Sequence, residues 1–139
     1  MGVHGIQHFN IRASEEEILA LRDFYSTVIG LTLGPRPAFR SRGFWLYAGG
    51  DPVLHLSIAS QSQSLPDLEA RRSAADHIAF RCSDLKGMLA RLDAHGIRYS
   101  LERVPLVNQI QVFLSDPSGV GVELNFDSAS EASAATPPR

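Results

Sequence analysis

The chain has 139 residues, 44% of them hydrophobic and 20% charged, which are proportions typical of one ordinary globular domain. Its formal net charge of −2 gives no electrostatic reason to expect nucleic acid or an anionic membrane surface as a partner. Cys82 is the only cysteine, which excludes an internal disulfide and favours a reducing, cytoplasmic setting. The first residues do not resemble a signal peptide, and no apolar run approaches the roughly 20 residues that span a bilayer. We therefore expect a soluble cytoplasmic protein that binds neither nucleic acid nor membrane.

The first half of the chain has the pattern of one strand, one helix and further strands. Alternation from Ile6 to Arg12 predicts a strand, and Ser14 followed by Glu17 is a capping box that begins a helix. Apolar residues then recur along one helical face, and Gly30 predicts the end of that helix. The next predicted strands, on either side of a GGDP turn, are residues 44–48 and 53–58.

The second half of the chain repeats this plan. Residues 76–82 predict a strand, and Ser83 is the expected cap of a helix that ends at Gly96. Three further strands are expected near residues 97–104, 109–114 and 120–126, the last after a DPSG turn.

The two halves also match residue by residue, as an internal repeat does. The segment HFNIRAS, which begins at His8, aligns with HIAFRCS, which begins at His77. Each half closes with a strand that holds one polar residue in an apolar frame, His55 in VLHLSI and Glu123 in GVELNF. His55 follows His8 at nearly the same separation as Glu123 follows His77. We therefore predict a single domain over residues 1–127, built from two βαβββ modules.

The polar stretches of the sequence set the expected boundaries of these modules. Module one covers about residues 4–59, a polar linker covers residues 60–75, and module two covers about residues 76–127. Residues 128–139 are rich in small residues and low in complexity, which predicts a disordered tail.

Alternation within the strands places all four candidate ligands on polar faces, opposite the apolar faces that would pack on the helices. The expected companions on those faces are Asn10 beside His8, Ser57 beside His55, Arg81 beside His77 and Asn125 beside Glu123. Imidazole and carboxylate groups bind Zn, Ni, Fe, Co or Mn, and two histidines with one carboxylate leave positions open for substrate. We predict a divalent metal site formed by His8, His77 and Glu123, together with His55. The alternative is structural, in which these side chains pair with one another and bind no metal.

The motifs HFNIRAS, FYSTVIGL, DHIAFRCSDL, DPSG and VELNF together resemble the vicinal oxygen chelate superfamily, over about residues 4–127. That superfamily includes glyoxalase I, extradiol dioxygenases and bleomycin resistance proteins. The resemblance implies an α+β fold in which two βαβββ modules form a cup-shaped, partly open mixed β-barrel around one metal, often completed in a homodimer. It carries metal-binding roles to His8, His77 and Glu123. His55 falls at the position that a glutamate occupies in glyoxalase I, where it binds metal and transfers a proton.

The resemblance also narrows the reaction. Ring-cleaving dioxygenases have a tyrosine ten residues before the ligand glutamate, and here that position is Phe113. Bleomycin-binding members lack the metal-binding set that this chain retains. We therefore expect a metal-dependent enzyme that binds a small substrate through two vicinal oxygens, most simply a glyoxalase-like lyase or isomerase, with His55 and Glu123 as catalytic residues. The alternatives are an extradiol-type dioxygenase and a non-catalytic protein that binds a small molecule such as an antibiotic. The expected substrate pocket contains Asn10, Trp45, Tyr47, Ser57, Arg81, Gln111, Phe113 and Asn125.

Overall fold

A computed structural model describes residues 1–60 and 74–134, which fall into two compact units, one within residues 1–72 and the other within residues 73–139. Most of the predicted linker, and the tail after residue 134, lie outside the described residues. Each unit has one four-stranded mixed sheet with helices, so the predicted α+β class is confirmed. No helix among the described residues is both long and apolar enough to cross a membrane.

The described part of the first unit, residues 1–60, contains four strands and one helix that continues as a π-helical segment. Its elements are β1 (Phe9–Ala13), α1 (Glu15–Asp23), the π-helical segment (Phe24–Ile29), β2 (Thr32–Gly34), β3 (Gly43–Ala48) and β4 (Asp51–Ile58). The capping box at the start of α1 is present, since the Ser14 hydroxyl accepts the Glu17 amide and the Glu17 carboxylate accepts the Ser14 amide. Gly30 ends the helical region with a φ of 94°, a left-handed conformation that suits glycine.

Residues 74–134, the part of the second unit that the structure describes, contain four strands, two α-helices and one 3-10 turn. Its elements are β5 (His77–Cys82), α2 (Leu85–Ala94), β6 (Ser100–Val104), a 3-10 turn (Pro105–Val107), β7 (Gln109–Ser115), β8 (Gly121–Asp127) and α3 (Ser128–Ala134). The sheet orders are β1-β4-β3-β2 in the first unit and β5-β8-β7-β6 in the second, with the first two strands of each order parallel. The two sheets therefore have the same topology, as the internal repeat predicts.

The strand register matches between the units as well. Asn10 of β1 lies opposite His55 of β4, and Ala79 of β5 lies opposite Glu123 of β8. His8 and His77 each come two residues before those paired positions. The helical side of each sheet is apolar, and its fully buried side chains include Ile18, Leu21, Tyr25, Leu54 and Leu56 in the first unit and Leu92, Val112, Val122, Leu124 and Phe126 in the second.

Several expected boundaries are wrong. The first strand begins at Phe9, so His8 precedes it rather than lying within it. The strand expected from residue 97 begins at Ser100. The helix cap is Asp84 and not Ser83, because the Asp84 carboxylate reaches the Gly87 amide at 3.0 Å from a left-handed backbone.

The expectation of disorder is wrong for residues 128–134, which form α3. The Asp127 carboxylate accepts the Ser130 amide at 2.8 Å and so caps this helix. The Glu131 carboxylate accepts the backbone amides of Asp84 and Leu85 at 3.0 and 2.9 Å, which attaches α3 to the start of α2. These contacts stabilise a helix in a segment for which the composition alone predicts disorder.

Candidate metal centre

His77 and Glu123 meet on the polar face of the second sheet. Nε2 of His77 lies 3.0 Å from Oε2 of Glu123. Glu123 is only 7% exposed, whereas the His77 side chain is 42% exposed. A buried carboxylate needs polar partners, because its desolvation otherwise costs several kcal/mol. The two residues predicted as ligands in this unit are therefore paired at one place.

Two amides hold the other oxygen of Glu123. Oε1 accepts a hydrogen bond from Nε2 of Gln111 and another from Nδ2 of Asn125, both at 2.8 Å. Nε2 of Gln111 also lies 3.1 Å from Oδ1 of Asn125. The network leaves Oε2 as the carboxylate oxygen that faces His77, so two predicted pocket residues orient a predicted ligand.

The other ring nitrogen of His77 faces a second carboxylate. Nδ1 lies 2.8 Å from Oδ2 of Asp76, whose side chain is 92% exposed. The hydrogen bond to Asp76 and the charges of Glu123 and Asp76 raise the pKa of His77, against the opposing effect of desolvation. The two carboxylates therefore favour a positive charge on the imidazole of His77.

In the first unit, three rings form a stack along the polar face. The rings of His8 and His55 have centroids 3.9 Å apart with planes inclined by 13°, and those of His55 and Trp45 are 4.1 Å apart and inclined by 9°. We call this arrangement the three-ring stack. Trp45 and His55 are opposite one another in the register of β3 and β4, so the sheet itself brings their rings together.

The backbone fixes which nitrogen of His55 is available. Nε2 lies 3.0 Å from the carbonyl oxygen of Pro52, which is only an acceptor, so Nε2 carries a proton and donates it. Desolvation, followed by the charge of His8, lowers the pKa of His55 and favours its neutral form. In that form Nδ1 holds the free lone pair, which suits a base or a ligand.

The stack limits how His8 and His55 act together. The lone pair of an imidazole nitrogen lies in the ring plane, and these two planes are nearly parallel at 3.9 Å. Two such lone pairs do not converge on one point, so both rings bind the same ion only if one of them turns. His8 is exposed and precedes β1, with Nδ1 bonded at 3.0 Å to its neighbour Gln7.

The remaining predicted pocket residues lie on strands of the same two sheets. Ser57 donates to Oδ1 of Asn10 at 2.8 Å, and the Tyr47 hydroxyl donates to the Pro35 carbonyl at 2.5 Å. Phe113 lies opposite Glu123 in the register of β7 and β8. A recess of about 480 Å³ lies against Trp45, His55 and residues 6–7 in the first unit. Another of about 420 Å³ lies against Arg81, Gln109 and Asn125 in the second unit.

Sequence reasoning missed the groups that support the ligands. Gln7 and Asp76 each contact the histidine that follows them, and the Pro52 carbonyl contacts His55 three residues later. The acidic neighbour of His77 is visible in the DHIAF segment, since a histidine ligand commonly donates its second N–H to a carboxylate. Nothing in the sequence signals the backbone contact.

The chain matches one known protein family over most of its length. The family model of the Glyoxalase/Bleomycin resistance protein/Dioxygenase superfamily matches residues 5–124. The chain belongs to this superfamily. YaeR of Escherichia coli (strain K12) is 26% identical over 130 residues, which cover 89% of this chain and 97% of YaeR.

Three solved structures share this fold, and the descriptions of their proteins differ. A Bacillus anthracis protein described as a glyoxalase family member is 24% identical with a TM-score of 0.69, covering 91% of this chain and 98% of that one. A lactoylglutathione lyase from Agrobacterium tumefaciens is 20% identical, with a TM-score of 0.64 and coverage of 93% and 98%. An antibiotic binding protein from Streptomyces sp. CB03234 is 23% identical, with a TM-score of 0.65 and coverage of 92% and 99%. At these identities the likeness shows the fold alone.

The donor set of the second unit fits a divalent ion of the kind that members of this superfamily commonly use. Nitrogen and oxygen ligands about 2.1 Å from one ion and 90° apart are about 3 Å from each other. The 3.0 Å between Nε2 of His77 and Oε2 of Glu123 is the length of an ion pair, and it is also compatible with two adjacent ligands of one ion. In residues 1–60 and 74–134, neither unit gathers three histidine, cysteine, aspartate or glutamate side chains as one site. The full set with His8 and His55 stays a prediction.

Proposed function

We propose that this chain is a metal-dependent enzyme of the superfamily, in which His77 and Glu123 bind a divalent ion together with His8. The observation that carries the proposal is the 3.0 Å approach of Nε2 of His77 to Oε2 of Glu123. Asp76 supports the imidazole and two amides support the carboxylate, as the outer partners of metal ligands do. Zn, Ni, Fe, Co and Mn are all compatible with this donor chemistry.

The proposed substrate is a small molecule with two vicinal oxygens. A divalent ion would polarise such a molecule as a Lewis acid. Glu123 presents Oε2 while its Oε1 is held by two amides, so this carboxylate has one oxygen positioned to bind or to accept a proton. His55, neutral and with Nδ1 free, is the second candidate base and takes the place of the glutamate of glyoxalase I. We therefore propose a lyase or isomerase reaction that moves a proton next to a carbonyl group.

An extradiol-type dioxygenase is the weaker alternative. The side chain opposite Glu123 in the sheet is Phe113, which has no hydroxyl to donate to a bound oxygen or to a substrate. The chain therefore lacks the tyrosine that ring-cleaving members carry at that position. The enolising chemistry of a lyase or isomerase has no such requirement.

The second candidate function is binding of a small molecule without chemistry. It is favoured by the recess of about 480 Å³ beside Trp45, because an aromatic wall suits an apolar or planar ligand. The similarity of the antibiotic binding protein from Streptomyces supports the same idea. A binding protein would retain its ligand in Glu123→Gln with a changed affinity and would show no turnover with any metal.

Metal content is the direct test. Purified protein, reconstituted with each candidate metal and freed of excess, should retain about one equivalent per site by elemental analysis. His77→Ala and Glu123→Gln should lose it, whereas His95→Ala, an exposed histidine after α2, should keep it. Full occupancy in His77→Ala would refute the site. A screen of the loaded protein against thiol–aldehyde adducts, catechols and epoxides then separates the reaction classes.

We also propose that the protein is a cytoplasmic homodimer. Each half alone has little core, and closed pairs are the commonest assembly of small soluble proteins. Light scattering coupled to size-exclusion chromatography should give twice the monomer mass of 15.2 kDa. A monomer at micromolar concentration would contradict this assembly.

A further inference from the structure

The start of β5 lies unusually close to the start of β8. His77 is opposite Gly121 in the parallel register, and the Gly121 amide donates to the Asp76 carbonyl at 3.3 Å. The backbone of residue 121 therefore contacts both the predicted ligand and the residue before it. This contact is separate from the side-chain hydrogen bonds described above.

Gly121 has no room for a side chain. A Cβ atom at this position would lie 2.6 Å from the Asp76 carbonyl oxygen and 2.9 Å from Cβ of His77. Both distances are shorter than real Cβ atoms show, and the first obstacle is backbone that does not rotate away. Any larger residue at 121 must push the Asp76–His77 segment away from β8, which also carries Glu123.

Asp76 contacts the same histidine from the other side. Its carboxylate accepts Nδ1–H of His77 at 2.8 Å, which orients the ring with Nε2 towards Glu123. A carboxylate behind an imidazole fixes both its rotation and its tautomer. The ring of His77 is thus located by its backbone at Gly121 and by its Nδ1 at Asp76.

We propose that Gly121 and Asp76 are positioning residues for His77, which set the separation and direction of its Nε2 relative to Oε2 of Glu123. The inference rests on the proposed role of His77 as a metal ligand. Neither residue touches the ion or the substrate in this scheme. They act through the imidazole, and so their loss weakens metal binding without removing a ligand.

The test compares Zn²⁺ affinity, measured by competition with a chromophoric chelator, among matched variants of the full chain. Asp76→Ala should weaken binding about tenfold, at the lower end of the 10- to 100-fold range for such partners because Asp76 is exposed. Asp76→Asn keeps an oxygen that accepts Nδ1–H and should recover much of that loss. Glu16→Ala removes the same charge from an exposed helical position and should not change the affinity.

Gly121→Ala should also weaken Zn²⁺ binding at least tenfold. Gly50→Ala is its matched control, because a Cβ there meets nothing within 4 Å, and it should keep the wild-type affinity. If Gly121→Ala proves unstable, the Asp76 variants still test the positioning role, since the Asp76 side chain is 92% exposed and its loss should leave the protein folded.

The outcomes separate the inference from the proposed function. Absence of Zn²⁺ binding by the unsubstituted protein would overturn the proposed metal site itself. Suppose instead that the unsubstituted protein binds Zn²⁺ and that Asp76→Ala, Asp76→Asn and Gly121→Ala bind it with the same affinity. That result would overturn the positioning role alone. An equal loss in Asp76→Ala and in Glu16→Ala would attribute the effect to net charge and also overturn it.

Discussion

Replacing His55 with alanine removes the middle ring of the three-ring stack. The substitution removes two ring contacts, at 3.9 and 4.1 Å, and the hydrogen bond from Nε2 to the Pro52 carbonyl. Aromatic pairs contribute about 0.5–1.5 kcal/mol each, and a hydrogen bond contributes about 1 kcal/mol net. The substitution can therefore lower the free energy of unfolding by at most about 4 kcal/mol. Because His55 is half-buried and His8 is exposed, we expect a loss of about 1–2 kcal/mol.

Trp45 makes this loss measurable in the first unit alone, because it is the only tryptophan of the chain. With a urea m-value of about 2 kcal/mol/M, the unfolding midpoint followed by tryptophan emission should fall by about 0.5–1 M. The emission maximum of folded His55→Ala should also shift to longer wavelength, since one face of the indole becomes open to water.

His8→Ala provides the matched control for the stack. It removes the outer ring and leaves the contact between His55 and Trp45 intact, so the emission maximum should stay near the wild-type value. The urea unfolding midpoint of His8→Ala should fall by less than half as much as that of His55→Ala. If His55→Ala changed neither the midpoint nor the emission, the stack would not form in solution and the geometric limit on joint metal binding by the two histidines would be lost.

Three further substitutions or treatments test other parts of the structure. Burial raises the pKa of the Cys82 thiol, so its reaction with a disulfide reagent at pH 8 should be slower than that of free cysteine; an equal rate would contradict the burial. Glu131→Ala should lower the free energy of unfolding by about 1 kcal/mol and speed amide exchange at the start of α2, because two backbone N–H groups lose their acceptor. Unchanged exchange would mean that α3 does not attach there. Gly43→Ala should lower the melting temperature by an amount equivalent to about 1–3 kcal/mol, because its Cβ would lie 2.0 Å from the Leu56 carbonyl oxygen; full stability would show that β3 is misplaced.

The parts of the fold that follow from periodicity were predictable. The capping box at Ser14, the glycine at position 30 and the alternation of polar and apolar positions in the strands are local signals, and each is confirmed. The internal repeat also gave the common topology, because similar segments at similar separations fold into similar units. The pairing of His77 with Glu123 then follows because β5 and β8 are neighbouring strands.

The parts that depend on contacts between distant residues were not predictable. The stacking of His8 on His55 requires the two rings to meet across β1 and β4, which no local pattern encodes. The helix after Asp127 depends on Glu131 reaching the start of α2, 47 residues away in the chain. The π-helical turn from Phe24 keeps the same buried face as an α-helix would, so its apolar spacing did not distinguish the two.

The two halves of the repeat support their ligand-type residues by different physical means. In the second unit, the Asp76 carboxylate accepts a hydrogen bond from His77, the amides of Gln111 and Asn125 donate to Glu123, and Gly121 limits the backbone. In the first unit, the ring of His55 lies between those of His8 and Trp45, and each histidine has one hydrogen bond, His55 to the Pro52 carbonyl and His8 to Gln7. His77 and Glu123 are therefore held as a pair, whereas the rings of His8 and His55 present nearly parallel planes. Under the proposed function, we therefore expect substitutions in the second unit to change metal affinity and substitution of His55 to change the reaction.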